Sequence, residues 1–381
     1  MTRALKDHLV TRITSQDAVV IGAGQAGLTL SFYLQQMQVG HVVYEQDRAF
    51  SAWSTRWDGF RANTPNWMNT LPMLGSERVP GQSADGFATK EELLSYLDDC
   101  LANFSPPLQT GVDVESVAQR DDGLWEVVTA DMVVETPNVA VCIGAMSAPR
   151  FPTAAAELPV SVPQLHSLHF RNPNQISTDH VLVVGSGSSG IQITELLAKS
   201  ERFSSIHLAQ SKVLILPESI LGVPIHRFIH FFGLFDVKVE SLFGKLMFSN
   251  LEGRGDPIVR PTPKQLARSW GVRLHARVTG ASEEAIRFAD GSTIATDGLT
   301  VVYCTGLRGD YSFIKARDRA ASFDTAGNPL HRRGVVAGAP GLSFVGLRYQ
   351  HTVASHDIYG VATDARHVAG HIAQRLALAK S

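Results

Sequence analysis

The stretch from Ala18 to Leu34 limits the folds open to this chain more than any other. Ala18, Val19, Val20 and Ile21 form a short apolar run with the character of a buried strand. Gly22, Ala23, Gly24, Gln25, Ala26 and Gly27 follow at once, and apolar residues then recur at helical spacing through Ala26, Leu30, Leu34 and Met37. Strand, glycine turn and helix in that order make a phosphate cradle. Gly22 permits the tight turn, Gly24 lets a diphosphate approach the backbone, and Gly27 lets the helix pack on the strand. The anion sits on the positive end of the helix, facing free backbone N–H groups.

With 32 glycines in 381 residues, three glycines at set positions arise by accident about 0.2 times per chain of this composition, so the context has to decide. His41 to Glu45 reads as a second strand ending in a carboxylate, where such a unit places the acid that binds ribose hydroxyls. The pattern then recurs. His180 to Val184 is an apolar strand, and Gly185, Ser186, Gly187, Ser188, Ser189 and Gly190 repeat the glycine spacing. Ile193, Leu196 and Leu197 continue as a helix. Two dinucleotide sites follow. The second strand of this second unit, Ile206 to Ala209, ends in Gln210, Ser211 and Lys212 rather than a carboxylate. Nothing there repels the 2′-phosphate of NADP, yet no arginine follows to clamp it, so NADPH and NADH are both admitted with little discrimination.

Between the units, Ala49 to Pro72 is a long loop rich in Trp, Asn, Thr and Pro, the kind of segment that presents chemistry from a scaffold. Lys90 to Phe104 is an amphipathic helix on Leu93, Leu94, Leu97 and Leu101. Val112 to Val117 and Trp125 to Val134 are strand-like, turning at Asp121 to Gly123, and Asn138 to Gly144 is a buried strand. Prolines at 149, 152, 159 and 163 mark a linker. Leu214 to Asn250 is rich in phenylalanine and reads as one or two inserted helices, forming core, a dimer face or a lid over an apolar channel. His226 and His230 lie four apart, but Arg227 stands where a zinc protease would carry Glu, so no metal is expected. Arg273 to Ala295 reads as a hairpin pair around Asp290 and Gly291. Thr300 to Tyr303 is a strand running into Cys304, Thr305 and Gly306, and Ile358 to Leu378 a closing helix.

The rest of the composition narrows the class. A net charge of −2 from 34 basic and 36 acidic residues gives no pull toward nucleic acid or an anionic membrane. Cys100, Cys142 and Cys304 include no CxxC pair, which argues against a disulfide framework, a zinc ribbon or a dithiol reductase and fits a reducing cytoplasm. The first 16 residues lack a signal-peptide core and read as a loose arm, and no apolar run reaches the roughly 18 residues of a membrane span.

Taken together, these motifs resemble the class B flavin-dependent monooxygenases, the flavin-containing monooxygenase group with its Baeyer–Villiger and plant YUCCA-type relatives. The resemblance runs from Ala18 to about Ala373. It implies FAD on Gly22, Gly24, Gln25, Ala26, Gly27 and Glu45, with Trp53, Thr64 and Asp364 as further FAD contacts, and NADPH or NADH on Gly185, Gly187, Ser188, Ser189, Gly190, Gln210, Ser211 and Lys212. Asn63 and Thr64 match the Asn-Thr pair beside the flavin ring. Cys304 to Gly306 matches the strand-end Ala-Thr-Gly, Asp310, Tyr311 and Ser312 match the Asp-Tyr-Ser that follows it, and Gly360, Val361, Asp364 and Ala365 match the terminal pattern. In the signature between the motifs, His166, Phe170 and Arg171 are kept, while Val160 and Val162 replace Phe and Gly.

The implied fold is α/β with two Rossmann-like domains, the nicotinamide domain inserted in the FAD domain: residues 1–150 and 298–381 for FAD, 153–297 for NAD(P)H with the 214–250 insert. The implied reaction passes one oxygen of O2 to a sulfide or amine through a flavin C4a-hydroperoxide, with Asn63 and His166 as catalytic candidates. Baeyer–Villiger oxidation of a ketone, an NAD(P)H–flavin oxidase or reductase, and a redox-sensing binding protein are the alternatives. A homodimer is allowed.

Overall fold

A computed structural model describes residues 12–144, 147–210, 212–251, 255–259 and 261–380. Two five-stranded parallel sheets dominate it. In the first, the order is Leu342–Phe344, Val139–Val141, Ala18–Ile21, His41–Glu45, Leu108–Thr110. In the second it is Gln164–His166, Leu299–Tyr303, His180–Val184, Ser205–Ala209, Arg273–His275. The central strands, Ala18–Ile21 and His180–Val184, are apolar apart from His180, because both faces are covered, as parallel strands require.

Each glycine turn leads from a central strand into a helix, Gln25–Gln36 in the first unit and Ser188–Lys199 in the second. Both start earlier than the apolar spacing suggested, directly after the middle glycine of the motif. In the first helix Ala26, Leu30 and Leu34 are buried, whereas Met37 lies past the last turn and is exposed. The closing helix, Ile358–Lys380, packs along Gln25–Gln36 and buries Val361, Ala365, Val368, Ala369 and Ile372. The amphipathic helix Lys90–Phe104 has the expected bounds, and Thr89 and Glu92 cap its start reciprocally.

Four expectations change. Arg12–Ser15, assigned to a loose arm, is an edge strand paired with Met132–Glu135. The segment Trp125 to Val134 is two strands, Trp125–Thr129 and Met132–Thr136, because the chain turns back at Ala130 and Asp131. Arg273–His275 joins the parallel sheet beside Ser205–Ala209, and only the strands after it form an antiparallel meander, Val278–Ala281, Ala285–Phe288 and Thr293–Ala295. Leu299–Tyr303 belongs to the second sheet, so the chain leaves that unit after Tyr303 rather than at residue 297. The return is marked by Leu307–Arg308, which pairs with Ala148–Pro149 on the outgoing strand of the linker.

The insert contains the helices Ile225–Phe231 and Leu242–Leu251. It leaves the second unit and docks on the first. Arg227 pairs with Asp85 at 2.6 Å, the His230 ring lies 5.0 Å from Trp67, and Lys238 bridges to Thr352. Phe231, Phe232, Leu242, Phe243 and Leu246 remain exposed. Among the described residues no helix is long and apolar enough to cross a membrane, and no group of His, Cys, Asp or Glu is placed to hold a metal ion.

Candidate functional site

The two glycine turns share one geometry, in which the three glycines do different work. A Cβ on Gly27 would lie 1.8 Å from the Gly22 carbonyl oxygen, and one on Gly190 would lie 1.8 Å from that of Gly185. These outer glycines are packing positions and neither lines the cavity. At Gly24 and Gly187 a Cβ would meet nothing within 4 Å, because both positions face open space. Each of these two caps its helix without any side-chain hydrogen bond. The first-turn N–H groups therefore remain available to a ligand.

Both turns open into one continuous cavity of about 1570 Å³. That exceeds the usual 300–1,000 Å³ of a single small-molecule pocket, as two dinucleotides in sequence would require. On the first side Gly22, Gly24, Gln25, Ala26, Glu45, Trp53 and Thr64 line it; on the second, Gly185, Gly187, Ser188, Ser189, Gln210 and Lys212 do so. Ser211 lies outside the described residues. Two bare backbone floors with uncapped helix starts fit a diphosphate at each turn.

Glu45 is buried, and its carboxylate accepts from the Ala23 N–H at 2.7 Å and the Asp47 N–H at 3.0 Å. These bonds aim it at the cavity and leave further lone pairs for hydroxyl donors. Trp53 donates its indole N–H to Gln25 Oε1 at 2.9 Å, tying the aromatic loop to the start of the first helix. The second strand end is held differently. Gln210 donates its backbone N–H to the His275 carbonyl at 3.0 Å, and Arg277, two residues further along that neighbouring segment, lines the same wall with Thr279. No arginine follows this strand in the sequence; Arg277 comes to the cavity that Lys212 also lines through the pairing of Ser205–Ala209 with Arg273–His275.

Asn63 is where the two sides meet. Gln192 is oriented by two bonds to the Arg61 backbone, accepting at 3.1 Å and donating at 3.0 Å. Its Nε2 also donates to Asn63 Oδ1 at 3.0 Å, and Ser188 Oγ donates to the same oxygen. The Asn63 carbonyl is thus committed to the second helix, and its Nδ2 has no protein partner among the described residues. Thr64 is fixed by Asn69: its hydroxyl donates to Asn69 Oδ1 at 2.8 Å, and Asn69 Nδ2 donates back to the Thr64 carbonyl at 2.9 Å.

Besides Gly27 and Gly190, two further expected site residues do not reach the cavity. His166 ends the edge strand of the second sheet and is 2% exposed. Its Nδ1 accepts from the Leu168 N–H at 3.1 Å, so Nε2 carries the hydrogen and donates to the Gly306 carbonyl at 3.1 Å. Burial pushes the ring below its ordinary value, with the Gly306 carbonyl opposing. It ties the linker to the strand end at Gly306 and has no free nitrogen to offer a substrate. Asp364 sits in the second turn of the closing helix, 1% exposed, with Asp357 and Ile358 lining the cavity in its place. Burial pushes its carboxyl up, with Ser355 and Arg333 opposing. Asp364, expected as an FAD contact, therefore does not line the cavity; the start of its helix does.

Residues 19–211 match the family described as pyridine nucleotide-disulphide oxidoreductase. An uncharacterized CzcO-like oxidoreductase of Geobacillus kaustophilus is 32% identical over 92% of this chain and 97% of its own length. The probable indole-3-pyruvate monooxygenase YUCCA4 of Arabidopsis thaliana is 23% identical, over 78% of this chain and 77% of that one. Among solved structures, a flavin-containing monooxygenase from Stenotrophomonas maltophilia superposes with a TM-score of 0.72 at 21% identity, covering 95% of this chain and 99% of its own.

Proposed function

Because this chain belongs to the pyridine nucleotide-disulphide oxidoreductase family, on its class B flavin-dependent monooxygenase branch, we propose that it oxygenates a sulfide or amine with FAD on the first glycine turn and NADPH or NADH on the second. The observation that carries this reading is the single cavity joining two open turns, with Asn63 between them. When bound, the flavin would supply the redox chemistry that couples oxidation of the nicotinamide to transfer of one oxygen atom of O2.

The chain's own residues bind, orient and shield. Glu45 accepts the adenosine ribose hydroxyls, its carboxylate held in place by the Ala23 and Asp47 N–H groups. Gly24 leaves the diphosphate free to approach the Gln25 helix start. Thr64, locked by Asn69, and Trp53, locked by Gln25, fix the loop that would hold the flavin. Asn63 supplies a hydrogen-bond donor through Nδ2. Since its oxygen is held by Ser188 and Gln192, that donor is oriented before substrate arrives and costs no reorganisation during the reaction. On the second side, Gln210, Lys212 and Arg277 receive the ribose end of the nicotinamide cofactor, and the two cations favour a 2′-phosphate there.

Disulfide reduction, the other chemistry in the family's name, finds little support in the thiols. Burial pushes Cys100 up to about 11, Cys304 up to about 12 and Cys142 higher still, so the nucleophilic thiolate is disfavoured at all three. The test is oxygen uptake by the purified protein with and without a dialkyl sulfide, with hydrogen peroxide measured alongside. The expected result is sulfoxide formed in proportion to NAD(P)H consumed. Peroxide release in that proportion, whatever substrate is added, would make the protein an oxidase, and ester formation from a ketone a Baeyer–Villiger enzyme.

A further inference from the structure

Arg56 and Arg171 come from different units and both line the cavity. Arg56 follows the Ser51–Ser54 helix of the first unit, and Arg171 follows the Gln164–His166 strand of the second. Their segments are joined by the Asp58 N–H, which donates to the Arg171 carbonyl at 2.7 Å. The Arg56 guanidinium lies 5.7 Å from the Trp53 ring centre and 5.8 Å from that of Phe60, and its Nε is buried without a hydrogen-bond partner. Arg171 is held by two carbonyls, those of Leu168 at 2.8 Å and Phe170 at 3.0 Å, both through one terminal nitrogen. Among the described residues its remaining N–H groups have no partner.

Neither guanidinium has a carboxylate within ion-pair distance among the described residues. Asp58, two residues after Arg56, is engaged by Lys90 at 3.3 Å. Burial pulls both arginines below their ordinary value, and the charge of Arg171 pulls Arg56 down further. Two like charges near enough to act on each other, without a counter-ion, repel each other and carry unsatisfied donors. An anion with oxygens on two sides relieves both penalties, and planar forks suit a phosphate.

We propose that Arg56 and Arg171 form an anion subsite between the two units, occupied by a dinucleotide diphosphate that draws the units together. The inference rests on the assignment of the two glycine turns to dinucleotides. Either the flavin or the nicotinamide cofactor can bring that diphosphate. Arg56 approaches the first turn through Trp53 and Gln25, and Arg171 belongs to the second unit.

The experiment uses the full-length protein as purified, with the variants Arg56→Met, Arg171→Gln and Arg171→Lys. Three quantities are measured: flavin per chain by absorbance, the dissociation constant of NADP+ and NAD+ by calorimetry, and the shift in Tm caused by inorganic pyrophosphate. The expected result is a loss of tenfold or more in affinity for one dinucleotide in Arg56→Met and Arg171→Gln, with partial recovery in Arg171→Lys. Pyrophosphate should raise the Tm of the native protein and not that of Arg171→Gln. Lowered flavin content with unchanged nicotinamide affinity assigns the diphosphate to FAD, and the reverse assigns it to the nicotinamide cofactor. Unchanged binding of both dinucleotides in Arg171→Gln, a surface-reaching variant expected to fold, overturns the inference. So does a loss confined to binding of a carboxylate substrate. Gly187→Val serves as the control: if it abolishes nicotinamide binding while the arginine variants do not, the turn assignment stands and only the subsite fails. If Gly187→Val leaves nicotinamide binding intact, the turn assignment itself fails.

Discussion

The two glycine turns are near copies at the floor and differ at the rim. Gly27 and Gly190 each sit 1.8 Å, measured from an added Cβ, from the carbonyl of the first glycine of their motif, and Gly24 and Gly187 each face open space. At the end of the neighbouring strand the likeness stops. Glu45 is buried and braced by two backbone N–H groups, while Gln210 leans on the His275 backbone beside Lys212 and Arg277. If the turns hold the proposed dinucleotides, the floor is a backbone solution to binding a diphosphate and recurs for that reason. The rim would then read the rest of the ligand with side chains, which come from whichever segments the sheet places alongside.

The strongest way to break this comparison is to make the same substitution in both turns. Gly24 has φ −78°, which any residue adopts, and open space for a side chain, so Gly24→Val should fold normally and purify without yellow colour. Gly187→Val, with φ −70°, should purify yellow and lose nicotinamide affinity by on the order of a hundredfold or more. Absorbance spectra and cofactor titrations distinguish the two; identical behaviour would mean that the turns do not hold different ligands.

Asn63 lies where the two sides meet. Asn63→Ala removes the preoriented donor and leaves Gly24 and Glu45 untouched, so flavin content should hold. The ratio of oxygenated product to peroxide should fall by on the order of a hundredfold, corresponding to about 3 kcal/mol for one donor at a developing charge. A product-to-peroxide ratio equal to that of the native protein removes Asn63 from the reaction.

The second unit also carries a chain of histidines. His180 Nδ1 meets Ser205 Oγ at 2.9 Å, Ser205 Oγ meets His207 Nε2 at 2.9 Å, and His207 Nδ1 meets His275 Nε2 at 2.8 Å. Burial, with the charges of His275, Arg273 and His180 adding to it, pushes His207 down to about 4. Asp290 pulls the other way on His275. In the unfolded chain the imidazole takes its proton near 6.5, so the unfolded state binds protons first. Stability is complete above that pH and is lost as pH falls from about 6.5 toward 4, by at most about 2 kcal/mol at pH 5. The Tm should fall over that window, and His207→Asn should flatten the slope. A slope unchanged by that substitution assigns the acid sensitivity to other groups, His41 of the first unit among them.

The smallest expected effect sharpens the contrast at the rim. Arg277→Ala should lower kcat/KM for NADPH about tenfold through KM and leave NADH unaffected, because the contact lies far from the hydride and binds ground and transition states alike. Gln210→Glu should act in the same direction by repelling the 2′-phosphate. Equal losses with both cofactors in Arg277→Ala would place that side chain on a part of the ligand common to both.

What the sequence determined by itself was the local and the repeated: both glycine turns, the strands His41–Glu45 and His180–Val184, the helix Lys90–Phe104, and the Asn63–Thr64 loop as the segment to watch. These are legible because periodicity, glycine spacing and cap residues act within a few neighbours along the chain. The tertiary structure alone decided which segments became neighbours in space. It moved Arg273–His275 into a parallel sheet and brought Arg277 onto the cavity that Lys212 lines, turned His166 inward to Gly306, buried Asp364 a turn and a half beyond the cavity, and placed Arg56 and Arg171 on one cavity wall. Strand order and interdomain contact are set by burial and pairing summed over the whole chain, so no local pattern records them.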